Sequence, residues 1–381
     1  MCSSDLSVHL RTFLLRASDE GGVRPANVPN NGTVTAALLK QTTFSSAASA
    51  SQIRAGFRLA LDHAADTLGA TSPNPSVGCA LLDAEGRVLT VGVHPRVGQP
   101  HAEAMALAQA RDAGVLCDVR TAIVTLEPCN HTGRTPPCSE ALRNSPVEHV
   151  WIGVADPNPQ AAGGAERLRE MPNGRSVTFL SDVPEMADLE RDCRALLAPF
   201  LSCVVRHRPW ISVKQALDSN GTMIPPMGQT TFTSEASLTL AHRLRRATDA
   251  IITGIGTVLA DKPRFTVRRV ADHADRGPRL LVVCDRQGRL PADWKNGMEQ
   301  AGFTVLVSPD LLSVPAMLAE RGVNWAMVEA GPSLLKTVSD AGLWDDWLTI
   351  RKDGDTDHIE LQSRDESPLR LLRESACSLE S

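Results

Sequence analysis

From residue 53 onward the chain alternates short apolar runs rich in β-branched residues with stretches whose apolar side chains recur at helical spacing, and it does so twice. Ile53, Phe57, Ala60, Leu61, Ala64 and Leu68 mark one face of a helix over 53–68. "VGCALLD" and "RVLTVGV", joined by "AEG", predict a hairpin, and "HAEAMALAQARDAG" predicts a helix stopped by Gly114. "TAIVTLE" and "HVWIGV" have the composition of strands buried on both faces, and "EMADLERDCRALLAPFL" predicts a helix closing the first unit near Leu201. The pattern restarts after "RHRPW" (206–210). "WISVKQAL", "PRLLVVCD", "FTVLVS", "NWAMVE" and "DWLTI" predict strands, "SEASLTLAHRLRRA" a helix, and "DAIITGIGTVL" a strand running into a glycine turn. Such alternation requires layered α/β architecture. With 381 residues the chain can bury two cores. The expected organisation is an N-terminal extension over 1–50, one α/β domain over 51–203 and a second over 209–381.

Several function classes are excluded at once. A net charge of −5 and the absence of basic tracts argue against nucleic acid as partner. No run of about 18 apolar residues is present to span a membrane. Nine scattered cysteines do not form a disulfide framework and fit a reducing compartment. The cytoplasm is expected. Residues 1–50 are either disordered or targeting: Arg11, Arg16, Arg24 and Lys40 suit a plastid transit peptide, whereas Asp5, Asp19 and Glu20 do not.

The first unit carries the strongest chemical signal. His101 and Glu103 open a predicted helix, Cys129 follows a predicted strand, and Cys138 begins the next helix, so two helix N-termini would face one point. One imidazole and two thiolates leave the fourth position of a tetrahedral zinc ion for water, which makes a catalytic site. Such zinc brings the pKa of water to about 7. Glu103, two residues from the histidine and not a ligand, is placed to shuttle the proton. H-x-E followed by P-C-x-x-C is the signature of zinc deaminases acting on nucleobase-like rings. Here eight residues, not two, separate Cys129 from Cys138.

"TSPNPSVGCALLD", "GQPHAEAMAL", "TLEPCNHTGRTPPC" and "VADPNPQAAGGA" resemble the deaminase half of the bifunctional riboflavin-biosynthesis deaminase/reductase family over roughly residues 53–200, and the long PC-x8-C loop is a mark of that family. The resemblance implies a cytidine-deaminase-like α/β/α layered domain. It also implies a small-molecule substrate, 2,5-diamino-6-ribosylamino-4(3H)-pyrimidinone 5′-phosphate, with His101, Cys129 and Cys138 as Zn2+ ligands and Glu103 as the catalytic proton carrier. Asn74, in "SPNPSVG", either reads the pyrimidine edge or serves only its turn. His131 and Arg134, inside the cysteine loop, offer groups for the ribose phosphate, and Arg suits phosphate through its planar fork.

In the second unit "EAGPSLLKT" puts Gly331 and Pro332 at the start of a helix directly after a strand, a place suited to a cofactor phosphate. "GIGTVLADKPRFTVR" is no Rossmann turn. Together with "VKQALDSNGTM", "TFTS" and "LRRATDAIITG" these segments resemble the reductase half of the same family over roughly 209–350. That resemblance implies a dihydrofolate-reductase-like α/β fold and NADPH-dependent reduction of the ribosyl group to a ribityl chain. Thr257, Asp261, Gly331, Pro332 and Ser333 would hold NADPH. Arg245, Arg268, Glu329 and Lys214 would face the substrate, the two arginines on its phosphate. Three features depart from the family: Thr231 stands where relatives carry Trp, Asn220-Gly221 stands where they carry Asp-Gly, and the chain ends soon after "DDWLTI". They leave open a second reading, an active deaminase with an impaired or only structural reductase domain. A homo-oligomer is compatible with either.

Overall fold

A computed structural model describes residues 48–131, 136–170, 175–225, 231–274, 276–354 and 356–372. The extension, up to residue 47, and Arg134 lie outside the described residues.

The first helix, α1 (Ala50–Ala65), starts three residues earlier than its apolar stripe, because Ser49 and Gln52 form a reciprocal capping box. It is followed by β1 (Gly78–Leu82), β2 (Val88–Val93), α2 (Ala102–Asp112), β3 (Thr121–Leu126), α3 (Cys138–Arg143), β4 (His149–Val154), α4 (Gly164–Arg169), β5 (Ser176–Phe179) and α5 (Ala187–Arg206). The strands form one sheet in the order β2-β1-β3-β4-β5. The β1/β2 hairpin is antiparallel, β1 runs antiparallel to β3, and β3, β4 and β5 are parallel. Every residue of β3 is buried, as a strand covered on both faces requires. On one face Phe57 and Leu61 of α1 and Leu196 of α5 pack over Leu82 and Ile123. On the other, Ala106 of α2, Leu142 of α3 and Leu168 of α4 pack over Cys79, Val124 and Ile152. α5 does not stop near Leu201. It runs to Arg206 through Pro199; the lost backbone hydrogen bond is outweighed by burial of Leu196, Leu197, Ala198 and Pro199.

The second sheet contains β6 (Trp210–Leu217), β7 (Ala250–Gly254), β8 (Arg279–Cys284), β9 (Phe303–Ser308), β10 (Trp325–Val328), β11 (Asp346–Asp353) and β12 (Thr356–Ser363), ordered β12-β11-β6-β10-β7-β8-β9. All neighbours are parallel except β11 and β12. Its helices are α6 (Glu235–Ala247), α7 (Ile255–Asp261), α8 (Ala292–Gln300), α9 (Val314–Ala319) and α10 (Pro332–Asp340). The glycine turn expected after β7 is instead α7, entered directly from Gly254. β12 adds a strand beyond "DDWLTI": Ile359 and Leu361 alternate toward the core while charged neighbours face out. One apolar cluster is continuous from α1 and α5 into Leu240 and Leu244 of α6 and Trp325 of β10, so the two sheets share part of their packing.

Candidate active site

Two helix N-termini and one strand end meet at the first site. His101 is the residue capping α2, held in extended backbone, and Glu103 lies in that helix's first turn. Gly92 lets α2 lie directly on β2: a Cβ there would sit 2.3 Å from the Ala102 carbonyl oxygen. Cys129 leaves β3 through Glu127 and Pro128, and Cys138 opens α3. The Glu127 carboxylate accepts hydrogen bonds from the backbone N–H groups of Asp156, Gly163 and Ala165 at 3.0–3.1 Å, clasping the 156–165 segment against the cysteine turn.

His101 Nδ1 lies 3.6 Å from Cys129 Sγ and 3.4 Å from Cys138 Sγ, and the Cys138 N–H donates to Cys129 Sγ at 3.4 Å. One donor atom from each residue falls within 4.8 Å of the other two. A nitrogen and two sulfurs this close are the soft donor set that zinc takes, with one position left over, so the residues fit the ion. Hydrogen bonds from the Cys138 thiol and, against burial, from His101 hold Cys129 down at about 4. The Cys138 thiol is pushed up by its bond to Cys129 and by burial. Glu103 is 3 % exposed, and burial raises its carboxyl above the usual range.

His101, Glu103 and Cys129 line a cavity of about 230 Å³ whose wall includes Asn74, His94, His131, Asp156, Asn158 and Phe200. Asn74 Nδ2 lies 3.3 Å from His94 Nε2, and His94 Nδ1 lies 3.1 Å from the Pro100 carbonyl oxygen. The His94 ring meets His101 edge-on at 5.3 Å. His94, Asp156, Asn158 and Phe200 were not singled out by the sequence, although "VGVHP" does place a histidine at a strand end beside the motif.

In the second sheet the structure brings Lys214, Arg245 and Glu329 together. Arg245 Nε and Nη2 donate to the two Glu329 oxygens at 2.9 and 2.7 Å, and Lys214 Nζ donates to Oε1 at 3.3 Å. Burial would push Glu329 up, but the Arg245 and Lys214 charges outweigh it and hold the carboxyl at about 2. Arg268 is exposed; its backbone N–H donates to His242 Nδ1 at 2.9 Å, and its guanidinium donates to the Thr266 carbonyl at 3.4 Å. His242, which sequence reasoning passed over, lies 3.4 Å from Arg245 Nη1; burial and the adjacent arginines lower it to about 4. Gly331 caps α10 and donates its N–H to Thr257 Oγ1 at 2.9 Å. Pro332 and Ser333 are exposed in the first turn of α10, and Asp261 is exposed at the last position of α7. The open N-terminus of α10 suits a cofactor phosphate.

Residues 50–154 match the family model described as the cytidine and deoxycytidylate deaminase zinc-binding region, and residues 210–350 match the RibD C-terminal domain. The riboflavin biosynthesis protein RibD of Aquifex aeolicus is 33 % identical over 312 residues, covering 76 % of this chain and 83 % of that protein. The chain belongs to the RibD family. The chloroplastic riboflavin biosynthesis protein PYRD of Arabidopsis thaliana is 31 % identical over 326 residues, which is 83 % of this chain and 71 % of that one. The crystal structure of a diaminohydroxyphosphoribosylaminopyrimidine deaminase/5-amino-6-(5-phosphoribosylamino)uracil reductase from Thermotoga maritima superposes with a TM-score of 0.69 at 29 % identity, covering 79 % of this chain and 86 % of that one. Like other RibD proteins the chain is a bifunctional deaminase and reductase of riboflavin biosynthesis, with a zinc-binding deaminase domain and an NADPH-dependent reductase domain. Both domains are α/β. Among the described residues, no helix is long and apolar enough to cross a membrane.

Proposed function

We propose that the first cavity deaminates 2,5-diamino-6-ribosylamino-4(3H)-pyrimidinone 5′-phosphate and that the second site reduces its ribosyl group, opened to the aldehyde, to a ribityl chain. The observation that carries this reading is the convergence of His101, Cys129 and Cys138, with the buried acid Glu103 beside them in the cavity that His101 and Cys129 line. A zinc ion held by the histidine and two cysteines supplies water activated at neutral pH. Glu103 takes up the proton released as water oxygen bonds to the ring carbon and delivers it to the departing amino nitrogen. The ring C–N bond breaks and ammonia leaves. Burial favours the protonated form of Glu103, which suits the delivery step. Asn74 presents an amide to the pyrimidine edge, and His131 and Arg134 offer groups that suit the ribose phosphate.

At the second site NADPH supplies the hydride, and the protein positions the opened sugar against it. Thr257, Asp261 and the Gly331–Ser333 turn hold the cofactor, while Glu329 and Lys214 hold sugar hydroxyls. Arg245 is largely neutralised by Glu329, so attraction of the substrate phosphate falls chiefly on Arg268. The substrate partner is a small molecule, without nucleic acid. The enzyme works in the cytoplasm, or in a plastid where residues 1–50 act as a transit peptide.

Incubation of the purified chain with the diaminopyrimidinone phosphate, with and without NADPH, followed by mass analysis of the products tests both halves. Ammonia release in either condition and a product carrying two further hydrogens only with NADPH are expected. Failure to release ammonia from the zinc-loaded protein overturns the deaminase assignment, and absence of the ribityl product overturns the reductase assignment.

A further inference from the structure

The loop that presents Asn74 to the deaminase cavity is gripped from outside its own sheet. Between α1 and β1, residues 66–73 meet groups of the second sheet and its flanking segments at successive points. The Arg246 guanidinium donates to the Asp66 carbonyl at 2.6 Å, and His273 Nε2 lies 2.8 Å from the Leu68 carbonyl. Gly69, at φ +84°, seats against α6 so closely that a Cβ would lie 2.5 Å from the Ala247 carbonyl oxygen. The Ser72 hydroxyl donates to Asp249 Oδ2 at 3.0 Å, and Asn324 Nδ2 donates to the Pro73 carbonyl at 2.8 Å. The next residue is Asn74.

Asp249 and Asn324 are themselves fixed. Asp249 Oδ2 also accepts the backbone N–H groups of Asn324 and Trp325, each at 3.0 Å, and Oδ1 accepts from Arg276 at 3.1 Å. Asn324 is 6 % exposed, and the Asp249 side chain 10 %. The two residues immediately precede the parallel neighbours β10 and β7. The far ends of those strands lead to Glu329 and Gly254, a strand length away, about 16 Å at 3.3 Å per residue. The grip on the loop is thus separate from the reductase chemistry. Among the described residues of the first unit, the Asn74 side chain has one hydrogen-bonding neighbour, His94, at the longer distance of 3.3 Å.

We propose that Asp249 and Asn324 are positioning residues for the deaminase reaction, fixing through Ser72 and Pro73 the loop that aims Asn74 at the pyrimidine ring. This rests on the reading of Asn74 as a ring contact. It gives the second domain a role in the first domain's chemistry that does not depend on reduction.

The test uses the zinc-loaded full chain and the diaminopyrimidinone phosphate. Asn324→Ala and Ser72→Ala, singly and together, are compared with Asn74→Ala. In the double variant the deaminase KM rises about tenfold, the scale set by loss of one well-made hydrogen bond. Deaminase kcat, zinc content and NADPH affinity stay at wild-type values, and Ser72→Thr, which keeps the hydroxyl, restores the KM of the Ser72 position. Unchanged KM in the double variant, beside a raised KM in Asn74→Ala, overturns the positioning role alone. Parallel loss of kcat, zinc and NADPH affinity overturns it as well, because that pattern marks a general loss of structure. Unchanged KM in Asn74→Ala overturns the ring contact and this inference with it.

Discussion

Arg245 and Glu329 are joined by two hydrogen bonds, 2.9 and 2.7 Å long, and their side chains are only 13 % and 15 % exposed. Removing one member of such a pair leaves an uncompensated buried charge. Glu329→Gln should therefore destabilise the fold by about 3–5 kcal/mol, the usual cost of breaking a buried pair, read as a lower melting temperature at neutral pH. The pH dependence follows from the sign of the shift. The Glu329 carboxyl lies at about 2 against an ordinary 4.5, so the stabilisation is complete above 4.5 and is lost as the pH falls through the folded value. The acid limb of the wild-type stability curve should be steeper than that of Glu329→Gln; superimposable acid limbs would show that the pair contributes no linkage.

Glu103 lines the metal cavity without being one of the three clustered donors. Glu103→Gln keeps the shape of the side chain and removes its ability to carry a proton. It should retain zinc at wild-type stoichiometry while ammonia release falls by on the order of 10²–10⁴. Cys129→Ser, by contrast, removes a thiolate ligand and should lose the metal. Metal analysis beside an ammonia assay separates the two cases, and loss of zinc from Glu103→Gln would make Glu103 a ligand.

The parts of this molecule that could be read from its sequence are those whose partners lie nearby or whose chemistry is rare. His101, Glu103, Cys129 and Cys138 stand in short strings at element boundaries, and the alternation of runs such as "TAIVTLE" and "HVWIGV" carries the layered fold. His94 and His242 carry no such signal, because a lone histidine has no pattern. Their meaning comes from Asn74, His101 and Arg245, which only the fold brings alongside. α5 continues through Pro199 because packing overrides a local breaker. The Ser72–Asp249 contact spans 177 residues, far beyond any local spacing rule.

Glycines divide by what surrounds them. A Cβ on Gly164 would lie 1.8 Å from the Pro128 carbonyl oxygen, where the 156–165 segment closes on the cysteine turn. Among the described residues, nothing lies within 4 Å of a Cβ on Gly297, which is inside α8. Gly164→Ala should cost more than about 3 kcal/mol and weaken zinc retention, because backbone must move beside Cys129. Gly297→Ala should stabilise by about 0.5–1 kcal/mol through helix propensity. Thermal melts with metal analysis decide both, and equal shifts in the two variants would contradict the packing argument.

Thr257 Oγ1 accepts the Gly331 N–H at 2.9 Å and so ties α7 to the cap of α10. Thr257→Val keeps the branched shape but offers no acceptor, leaving that N–H unpaired and the turn ahead of Pro332 and Ser333 less fixed. If this turn holds a cofactor phosphate, the KM for NADPH should rise about tenfold, the effect of about 1.4 kcal/mol for one lost hydrogen bond. Zinc content and ammonia release should not change, since the deaminase cavity is lined by residues of the first sheet, its helices and its loops. Steady-state reductase kinetics over a range of NADPH concentrations, beside an ammonia assay on the same preparation, measure both quantities. An unchanged KM for NADPH would detach the Thr257–Gly331 bond from cofactor binding, and a fall in ammonia release would mean that the substitution disturbs the whole chain.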